Sequence, residues 1–363
     1  MESGSPIWCD IGGKKVRVTK KIITHPEMER LVQSVYADNG PAMLIAGNDL
    51  DPAYEVKEEE IIEGKEKKRL IARWRFRVNI TSCGIVGGIG FQMTIRTLPS
   101  QPISIEKLNV EPEIIEYIRP AQGMNIFAGP TGSGKSTLMS SIIRYICESE
   151  KYSEKVIEYS APIEFVYHGL SFPNSFITQV EVGKHLKSKI EGVSNWAYAI
   201  VNALRRKPDI IIIGEARDKE TIAECITGAL SGHLVMTTMH TIGVPETIRR
   251  AIKAFPGQEQ NAIAADLLES LNMIVTQLLI PKKGGGKVAC KEFMVFDRKV
   301  RAALNGIDQD KWPERIRELL NTKQVIGQTF ADSARKLLDN DDITPDSLEV
   351  LLEIHSNVSG VIS

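Results

Sequence analysis

Residues 123–137 read Gly-Met-Asn-Ile-Phe-Ala-Gly-Pro-Thr-Gly-Ser-Gly-Lys-Ser-Thr and decide the fold of the larger part of the chain. The apolar residues 124–128 predict a buried strand, and a helix is predicted from Ser136 toward residue 149. Between them, residues 129–136 match the pattern G-x-x-x-x-G-K-[ST] in full. Glycines in such a loop let successive backbone N–H groups point at phosphate oxygens, beside the positive end of the helix.

This loop predicts a site for ATP and Mg²⁺. Lys135 would neutralise the β- and γ-phosphates, and the hydroxyl of Ser136 would bind Mg²⁺. The alternative is a glycine-rich turn that holds no ligand, but the strand and helix on either side favour the nucleotide. The residues predicted to bind ATP are Gly129, Pro130, Thr131, Gly132, Ser133, Gly134, Lys135, Ser136 and Thr137.

Apolar runs alternate with helical stretches through the rest of this region, which predicts an α/β fold with a parallel sheet. Residues 261–279 place apolar side chains at helical spacing and predict a helix. Thr344, followed by proline and aspartate, predicts the start of a C-terminal helix. The predicted strands are residues 124–128, 156–160, 209–213 and 234–238.

The carboxyl ends of parallel strands meet at one edge of a sheet, where ligands bind. Glu164, Glu215 and His240 each follow a predicted strand, so we expect them near Lys135. ATP hydrolysis needs one carboxylate to activate water, a second to hold Mg²⁺ or its waters, and a group that senses the γ-phosphate. Taken singly, Glu164 could lie beside a helix N-cap and His240 could simply bond to backbone, but together they favour a catalytic site.

Two further candidates are less specific. Arg217 lies two residues after Glu215, at the same predicted strand end. His233 is either a site residue or a cap at the start of its strand.

Composition limits the class of protein. The 363 residues are 42% hydrophobic and 25% charged, with a net charge of −1, which is typical of a globular protein and excludes a disordered or coiled-coil chain. Such balance makes nucleic acid an unlikely partner. Five scattered cysteines predict neither zinc nor disulfides. Apolar stretches are too short for a transmembrane segment or a leader, so we expect a reduced, cytoplasmic protein.

The first hundred residues have a different pattern. They predict strands at 15–19, 70–79 and 91–97, with a helix at 27–36. The charged run 55–68 predicts a solvated hairpin tip. Arg73, Arg75 and Arg77 alternate along one strand and indicate a polar face of the sheet. A proline-containing linker follows at 98–102.

These motifs together resemble those of the PilT-like secretion ATPases. The loop 129–136, Pro-Ile-Glu at 162–164, residues 208–218 and residues 232–241 resemble the family's Walker A, Asp, Walker B and His boxes. Residues 75–79 and 95–99 are similar to its arginine-bearing strands. Residues 77–83 and 292–297 look closest to the DotB and TraJ branch, the ATPases of type IVB secretion and conjugation systems.

The resemblance implies a PAS-like α+β domain at 1–97, a linker at 98–105 and a RecA-like P-loop domain with a helical C-terminal tail at 106–363. It implies a homo-hexamer in the bacterial cytoplasm, recruited peripherally to the inner membrane by components of a secretion or conjugation apparatus. By this resemblance, Arg77, Arg96 and Arg75 are arginine fingers. Glu164 is the base, Glu215 holds Mg²⁺ through water, and His240 senses the γ-phosphate.

Three departures from the family pattern qualify these expectations. Ser160 and Ala161 replace the usual Glu-Asp, so Glu164 would act without the aspartate of its box. The tetracysteine zinc insert of the type II secretion and pilus-assembly branch is missing. The chain also starts at what resembles the family's second element.

Three alternatives stay open from the sequence. The first is a motor for type IV pilus retraction. The second is a nucleic-acid translocase, which the balanced charge disfavours. The third is a nucleotide-gated scaffold that binds ATP but hardly hydrolyses it.

Overall fold

The chain divides into two units in the computed structural model, which describes residues 1–11, 14–61, 68–99, 101–349 and 351. The first unit is Met1–Gln101 together with the short segment Glu164–Val166, and the second is Pro102–Ile163 with Tyr167–Ser363. The boundary at Gln101 lies inside the segment 98–105 that the sequence predicts as a linker. The assignment of Glu164–Val166 to the first unit is not predicted by the sequence.

The N-terminal unit contains a two-stranded hairpin and a separate three-stranded antiparallel sheet. β1 pairs with β2, and β4 lies between β3 and β5. The elements are β1 (Pro6–Ile11), β2 (Lys14–Ile22), α1 (His25–Val35), α2 (Gly40–Ile45), β3 (Ala53–Ile61), β4 (Lys68–Ile85) and β5 (Gly88–Leu98).

One face of the three-stranded sheet forms the core of this unit. Val78 and Ile80 of β4 alternate with polar neighbours and pack with Met28 and Val32 of α1. Met28 and Val32 are one helical turn apart, so they share the buried face of α1. The opposite sheet face carries the arginines of β4, as their alternation predicts. The predicted charged run 55–68 contributes to the paired arms of β3 and β4, while its residues 62–67 lie outside the described part of the chain.

The second unit is built on a mixed sheet. Within the described residues the sheet has eight strands in the order β13-β12-β11-β6-β10-β9-β7-β8. The strands from β11 to β8 in this order pair parallel, whereas the β11–β12 and β12–β13 pairs are antiparallel. The strands are β6 (Gly123–Ala128), β7 (Lys155–Ser160), β8 (Phe176–Glu181), β9 (Ile210–Ile213), β10 (Leu234–Met239), β11 (Leu271–Pro281), β12 (Lys287–Val295) and β13 (Gly327–Gln328).

Helices lie between these strands along the chain. Several begin at a side-chain cap: Asp218 Oδ1 accepts from Thr221 N at 2.8 Å, and Asp297 Oδ1 accepts from Val300 N at 2.9 Å. The helices are α3 (Pro112–Tyr117), α4 (Lys135–Glu148), α5 (Asn195–Leu204), α6 (Lys219–Leu230), α7 (Val244–Lys253), α8 (Gly257–Ser270), α9 (Arg298–Leu304), α10 (Trp312–Asn321) and α11 (Phe330–Asp339), with 3₁₀ turns at Ile105–Lys107 and Gln309–Lys311.

Both faces of the central sheet are covered. Ile157 and Ile211 belong to one buried cluster with residues of α5 to α8, whereas Ile210 and Ile212 belong to another with residues of α3 and α4. Because successive side chains point to opposite faces, a strand covered on both faces must be apolar throughout, as β9 is. The α/β class and the four strands predicted before residue 240 are therefore confirmed.

The helix predicted at residues 261–279 is wrong in its second half. α8 ends at Ser270 and β11 begins at Leu271, parallel to β6. The apolar spacing continues across this junction because β11 is buried on both faces, so its apolar residues also match a helical template. The C-terminal prediction holds: residues 345–349 are helical, and Ser347 N donates to Thr344 Oγ1 at 3.4 Å.

Candidate active site

The phosphate loop leads from β6 into α4. Gly129, Gly132 and Gly134 have φ values of +151°, +79° and +83°, in a region that side chains rarely adopt. Gly134 is the N-cap of α4, so the first-turn N–H groups of that helix face the loop. The glycines of the motif are thus required by the local backbone.

The phosphate loop is hydrogen-bonded to both strands that flank β6. On the β11 side, Gln277 Nε2 donates to Ser133 O at 2.6 Å, and on the β10 side, Gly129 N donates to Met239 O at 3.2 Å. A Cβ on Gly129 would lie 2.4 Å from Gln277 O, so only glycine fits here. Sequence reasoning missed Gln277. The available signal was a buried amide, next to the buried Thr276, in the mostly apolar run of β11.

Lys135 is buried at the start of α4, with 7% of its surface exposed. Its Nζ donates to Pro130 O at 3.3 Å and contacts His240 Nδ1 at 3.4 Å. Ser136 and Thr137 follow in the first helical turn. The loop therefore directs its cation toward the end of β10, where His240 lies.

His240 connects Lys135 with Glu215. Its Nε2 lies 3.1 Å from Glu215 Oε1, which is also 2.5 Å from Arg217 Nε. An ammonium group can only donate, so Nδ1 of His240 accepts from Lys135, and Nε2 then carries the proton given to Glu215. The hydrogen bond to Glu215 raises the pKa of the Arg217 guanidinium. Four predicted site residues thus form one connected series.

Neighbouring strands fix the position of Glu215. Gly214 N donates to Tyr159 O at 2.8 Å, and Thr238 Oγ1 donates to Gly214 O at 2.6 Å. Ala216 N donates to Thr238 O at 3.0 Å. The backbone on both sides of Glu215 is therefore tied to β7 and β10, which aims its carboxylate at His240.

The site fits a nucleotide phosphate and Mg²⁺ by its own chemistry. Ser133 Oγ is buried and has no hydrogen-bond partner among the described residues. A buried hydroxyl is costly without a partner, and a phosphate oxygen would supply one. Ser136 and Glu215 offer a hydroxyl and a carboxylate, which suit Mg²⁺ when phosphates and water complete its shell.

The hydrogen-bonded series from Lys135 to Arg217 does not include Glu164, whose segment Glu164–Val166 belongs to the N-terminal unit. Arg75 Nη1 donates to Glu164 O at 2.7 Å and to Pro99 O at 3.4 Å. Arg75 is only 6% exposed, and its Nε lies 3.9 Å from a carboxylate oxygen of Glu55. In this structure Arg75 therefore positions the backbone that carries Glu164.

Arg77 and Arg96 are direct cross-strand partners on β4 and β5. Arg77 makes a two-pronged ion pair with Asp51, with Nη2 to Oδ2 at 2.7 Å and Nε to Oδ1 at 3.3 Å. Arg96 is exposed. Opposed residues of an antiparallel pair share a sheet face, so the two guanidinium groups emerge side by side.

The structure does not bring His233 to the phosphate-loop edge. It precedes β10, and its carbonyl accepts from Gly123 N at 3.1 Å, at the start of β6. This is the amino end of the parallel strands, opposite the end that leads into the loop. Its Nδ1 lies 3.3 Å from Ser231 Oγ, which agrees with a local role at the strand start.

Three features define the chain as a P-loop nucleotide-binding protein of the α/β class. They are the mixed sheet with helices on both faces, the glycine-rich loop after β6, and the carboxylate of Glu215 after β9. The chain belongs to the Type II/IV secretion system protein family, whose model matches residues 68–336. It is 37% identical over 276 residues to the twitching motility protein of Neisseria gonorrhoeae, covering 75% of this chain and 68% of that protein. It is 30% identical to the type IV pilus retraction ATPase PilT of Pseudomonas aeruginosa, covering 86% and 81%.

Solved structures agree with this assignment. The ATPase DotB of Legionella pneumophila has a TM-score of 0.79 and 34% identity, covering 97% of this chain and 90% of that one. The pilus retraction motor PilT with bound ADP has a TM-score of 0.76 and 28% identity, covering 95% and 90%. The predicted resemblance to PilT-like secretion ATPases near DotB is thereby confirmed.

Proposed function

We propose that this chain hydrolyses ATP with Mg²⁺ and uses the energy to move parts of a secretion machine. The observation that carries the proposal is the series from Lys135 through His240 to Glu215 at the mouth of the phosphate loop. The names of its relatives, the pilus retraction ATPase PilT and the ATPase DotB, support the same reaction.

Different groups of the phosphate loop and of the neighbouring strand ends would bind the phosphates and Mg²⁺. Residues 129–137 hold the phosphates through backbone N–H groups, and Lys135 neutralises the β- and γ-phosphates. Ser136 would bind Mg²⁺ directly, and Glu215 would hold it through water. Held by these two residues, Mg²⁺ would neutralise negative charge that develops on the phosphates during hydrolysis.

His240 is suited to report the γ-phosphate. Lys135 donates to His240 in this structure, and a phosphate oxygen would compete for the same ammonium. When Lys135 turns to phosphate, Nδ1 of His240 loses its donor, so the hydrogen bond from Nε2 to Glu215 weakens or reorients. Nucleotide binding in the phosphate loop would thereby change the hydrogen bonding of Glu215, which follows β9.

Glu164 is assigned as the residue that orients and deprotonates water. Arg77 and Arg96 are assigned as arginine fingers, which are worth about 10³- to 10⁵-fold in rate. We place Arg75 with them as a third candidate, although its burial favours its positioning of Glu164. A finger must leave its resting partner, and for Arg77 that partner is Asp51.

The machine we propose is a type IVB secretion or conjugation apparatus. The 34% identity to DotB over nearly the whole chain supports it. In this proposal six copies form a ring in the bacterial cytoplasm, recruited peripherally to the inner membrane. Domains 1–97 and 106–363 change their angle about the linker 98–105. No helix among the described residues is long and apolar enough to cross a membrane.

A type IV pilus retraction motor is the second candidate. The 37% identity to the twitching motility protein favours it. Expressing this chain in a strain that lacks its own retraction ATPase distinguishes the two roles. Restored twitching would favour retraction, whereas failure to restore it by an expressed, ATP-hydrolysing chain supports the secretion role.

The proposed activity is tested by replacing Lys135 with Met. This change removes the ammonium but keeps the length of the side chain, so hydrolysis should become undetectable while the fold is retained. Lys151→Met is the matched control, because Lys151 is an exposed lysine in the turn after the C-terminal end of α4, and this variant should retain wild-type activity. Equal rates for Lys135→Met and wild type would refute the assignment.

A further inference from the structure

The hairpin of β1 and β2 exposes an unusual amount of apolar surface. Trp8, Ile11, Val18 and Ile22 are each more than half exposed, at 53%, 63%, 56% and 53%. Isolated exposed apolar residues are normal, but a contiguous group of them marks an interaction surface. In the described part of this hairpin, the group extends along both strands.

The register of the hairpin sorts these side chains. Cys9 lies directly opposite Val16, so Cys9, Ile11, Val16 and Val18 share one face. Trp8 lies opposite an arginine on the other face. The same alternation places Lys14, opposite Ile11, and Lys20 on this first face. The hairpin therefore has one face that combines apolar side chains with two lysines, and another where the Trp8 indole lies among polar groups.

Cations surround this apolar surface. Residues 6–22 contain one acidic side chain, Asp10, and five basic ones, although the whole chain has a net charge of −1. Lys15 pairs with Asp10, and Lys14 and Lys20 are exposed at the two ends of β2. The basic residues are Lys14, Lys15, Arg17, Lys20 and Lys21.

A groove adjoins the hairpin on its α1 side. It has a volume of about 410 Å³ and an apolar lining from Ile7, Ile23 and Leu31. Its charged lining consists of Lys21, Arg30 and Glu27, and Lys21 Nζ lies 2.6 Å from a carboxylate oxygen of Glu27. The groove thus combines apolar walls with cations, as the hairpin does.

We propose that the β1–β2 hairpin and this groove dock on a membrane surface rich in anionic phospholipid. This inference rests on the proposed function, which places the chain at the membrane. Apolar side chains and an indole enter the interface, and lysines meet the phosphate groups. The excess of cations argues against self-association through this surface, because two copies would bring like charges together.

Vesicle co-sedimentation of the full chain tests the proposal. We expect binding to vesicles of mixed phosphatidylcholine and phosphatidylglycerol, weakening as salt rises, and little binding to phosphatidylcholine alone. The Lys14→Gln/Lys20→Gln double variant should bind about 25-fold more weakly, since each cation near an anionic surface contributes about fivefold. Lys299→Gln/Lys311→Gln, which removes two exposed lysines of the second unit, is the matched control and should bind like wild type.

A second double variant, Val16→Thr/Val18→Thr, keeps β-branched side chains and so preserves the strand while reducing its apolar surface. It should weaken the binding that persists at high salt. Equal binding to both vesicle types would overturn the proposal. Hairpin variants that bind vesicles like wild type would also overturn it. So would variants that change only the sedimentation of the chain without vesicles, since that result would indicate a second copy of the chain as the partner.

The outcome is separable from the ATPase assignment. Lys135→Met should bind vesicles like wild type, because the hairpin is far from Lys135 in sequence and belongs to the other unit. Loss of lipid binding with retained hydrolysis refutes only the docking surface. Lipid binding without any hydrolysis refutes only the proposed activity.

Discussion

Replacing Gln277 with Met tests how the phosphate loop is held in shape. Gln277 is 5% exposed, and its Nε2 donates to Ser133 O at 2.6 Å. Met has a similar volume but no donor, so the carbonyl of Ser133 would lose this partner, at a cost of about 1–3 kcal/mol. If that cost falls on the loop conformation that binds nucleotide, affinity drops about 5- to 150-fold.

The assay is the fluorescence anisotropy of a labelled ADP titrated with protein, accompanied by thermal unfolding. Gln328→Met is the matched control, since Gln328 is 4% exposed and its Nε2 donates to Glu111 Oε1 at 2.7 Å. Both variants should lower the melting temperature, but only Gln277→Met should weaken nucleotide binding. The reasoning is refuted if Gln277→Met binds like wild type, or if both variants lose affinity equally.

Three further predictions concern other parts of the chain. Glu164→Gln should lower hydrolysis about 10²- to 10⁴-fold without loss of ATP binding, whereas Glu215→Gln should retain binding and measurable hydrolysis. The reverse pattern in single-turnover assays would exchange their roles. Arg75→Ala should destabilise the chain by about 3 kcal/mol in denaturant unfolding, because the carbonyl of Glu164 loses the charged donor of a buried arginine; an unchanged midpoint would contradict this. Burial raises the pKa of the Cys147 thiol to about 12, so at about pH 8 almost no thiolate forms, and iodoacetamide should label exposed Cys9 instead. Equal labelling by mass spectrometry would be inconsistent with that burial.

The sequence predicted the parallel strands because they are short, mostly apolar and bounded by polar turns. β9, four consecutive isoleucines, is the clearest case. The same property caused the error at β11. A strand buried on both faces has no alternation of its own, and the preceding α8 set a helical period that its apolar residues could continue.

Convergence at the strand ends was also predictable. Lys135, Glu215 and His240 follow different parallel strands. A parallel sheet brings the carboxyl ends of its strands to one edge, whatever the conformation of the connecting loops. Glu164 also follows a strand, yet three residues of its segment group with the N-terminal unit. Within that unit Arg75 donates a long-range hydrogen bond to Glu164 O, which no local pattern reveals.

Gln277 was unpredictable for a related reason. Its role depends on β11 lying next to β6, and that neighbour relation joins residues about 150 positions apart. The position of His233 also depends on the direction of a strand, because His233 comes before β10 rather than after it. A residue before a parallel strand lies at the amino edge, away from the loop.

Steady-state ATP hydrolysis against protein concentration, with and without DNA, tests the central claim most directly. We predict that the rate per subunit rises with concentration and ignores DNA, because Arg77 and Arg96 of one copy would complete the site of the next. A rate that is independent of concentration and stimulated by DNA would contradict this account and favour a nucleic-acid translocase.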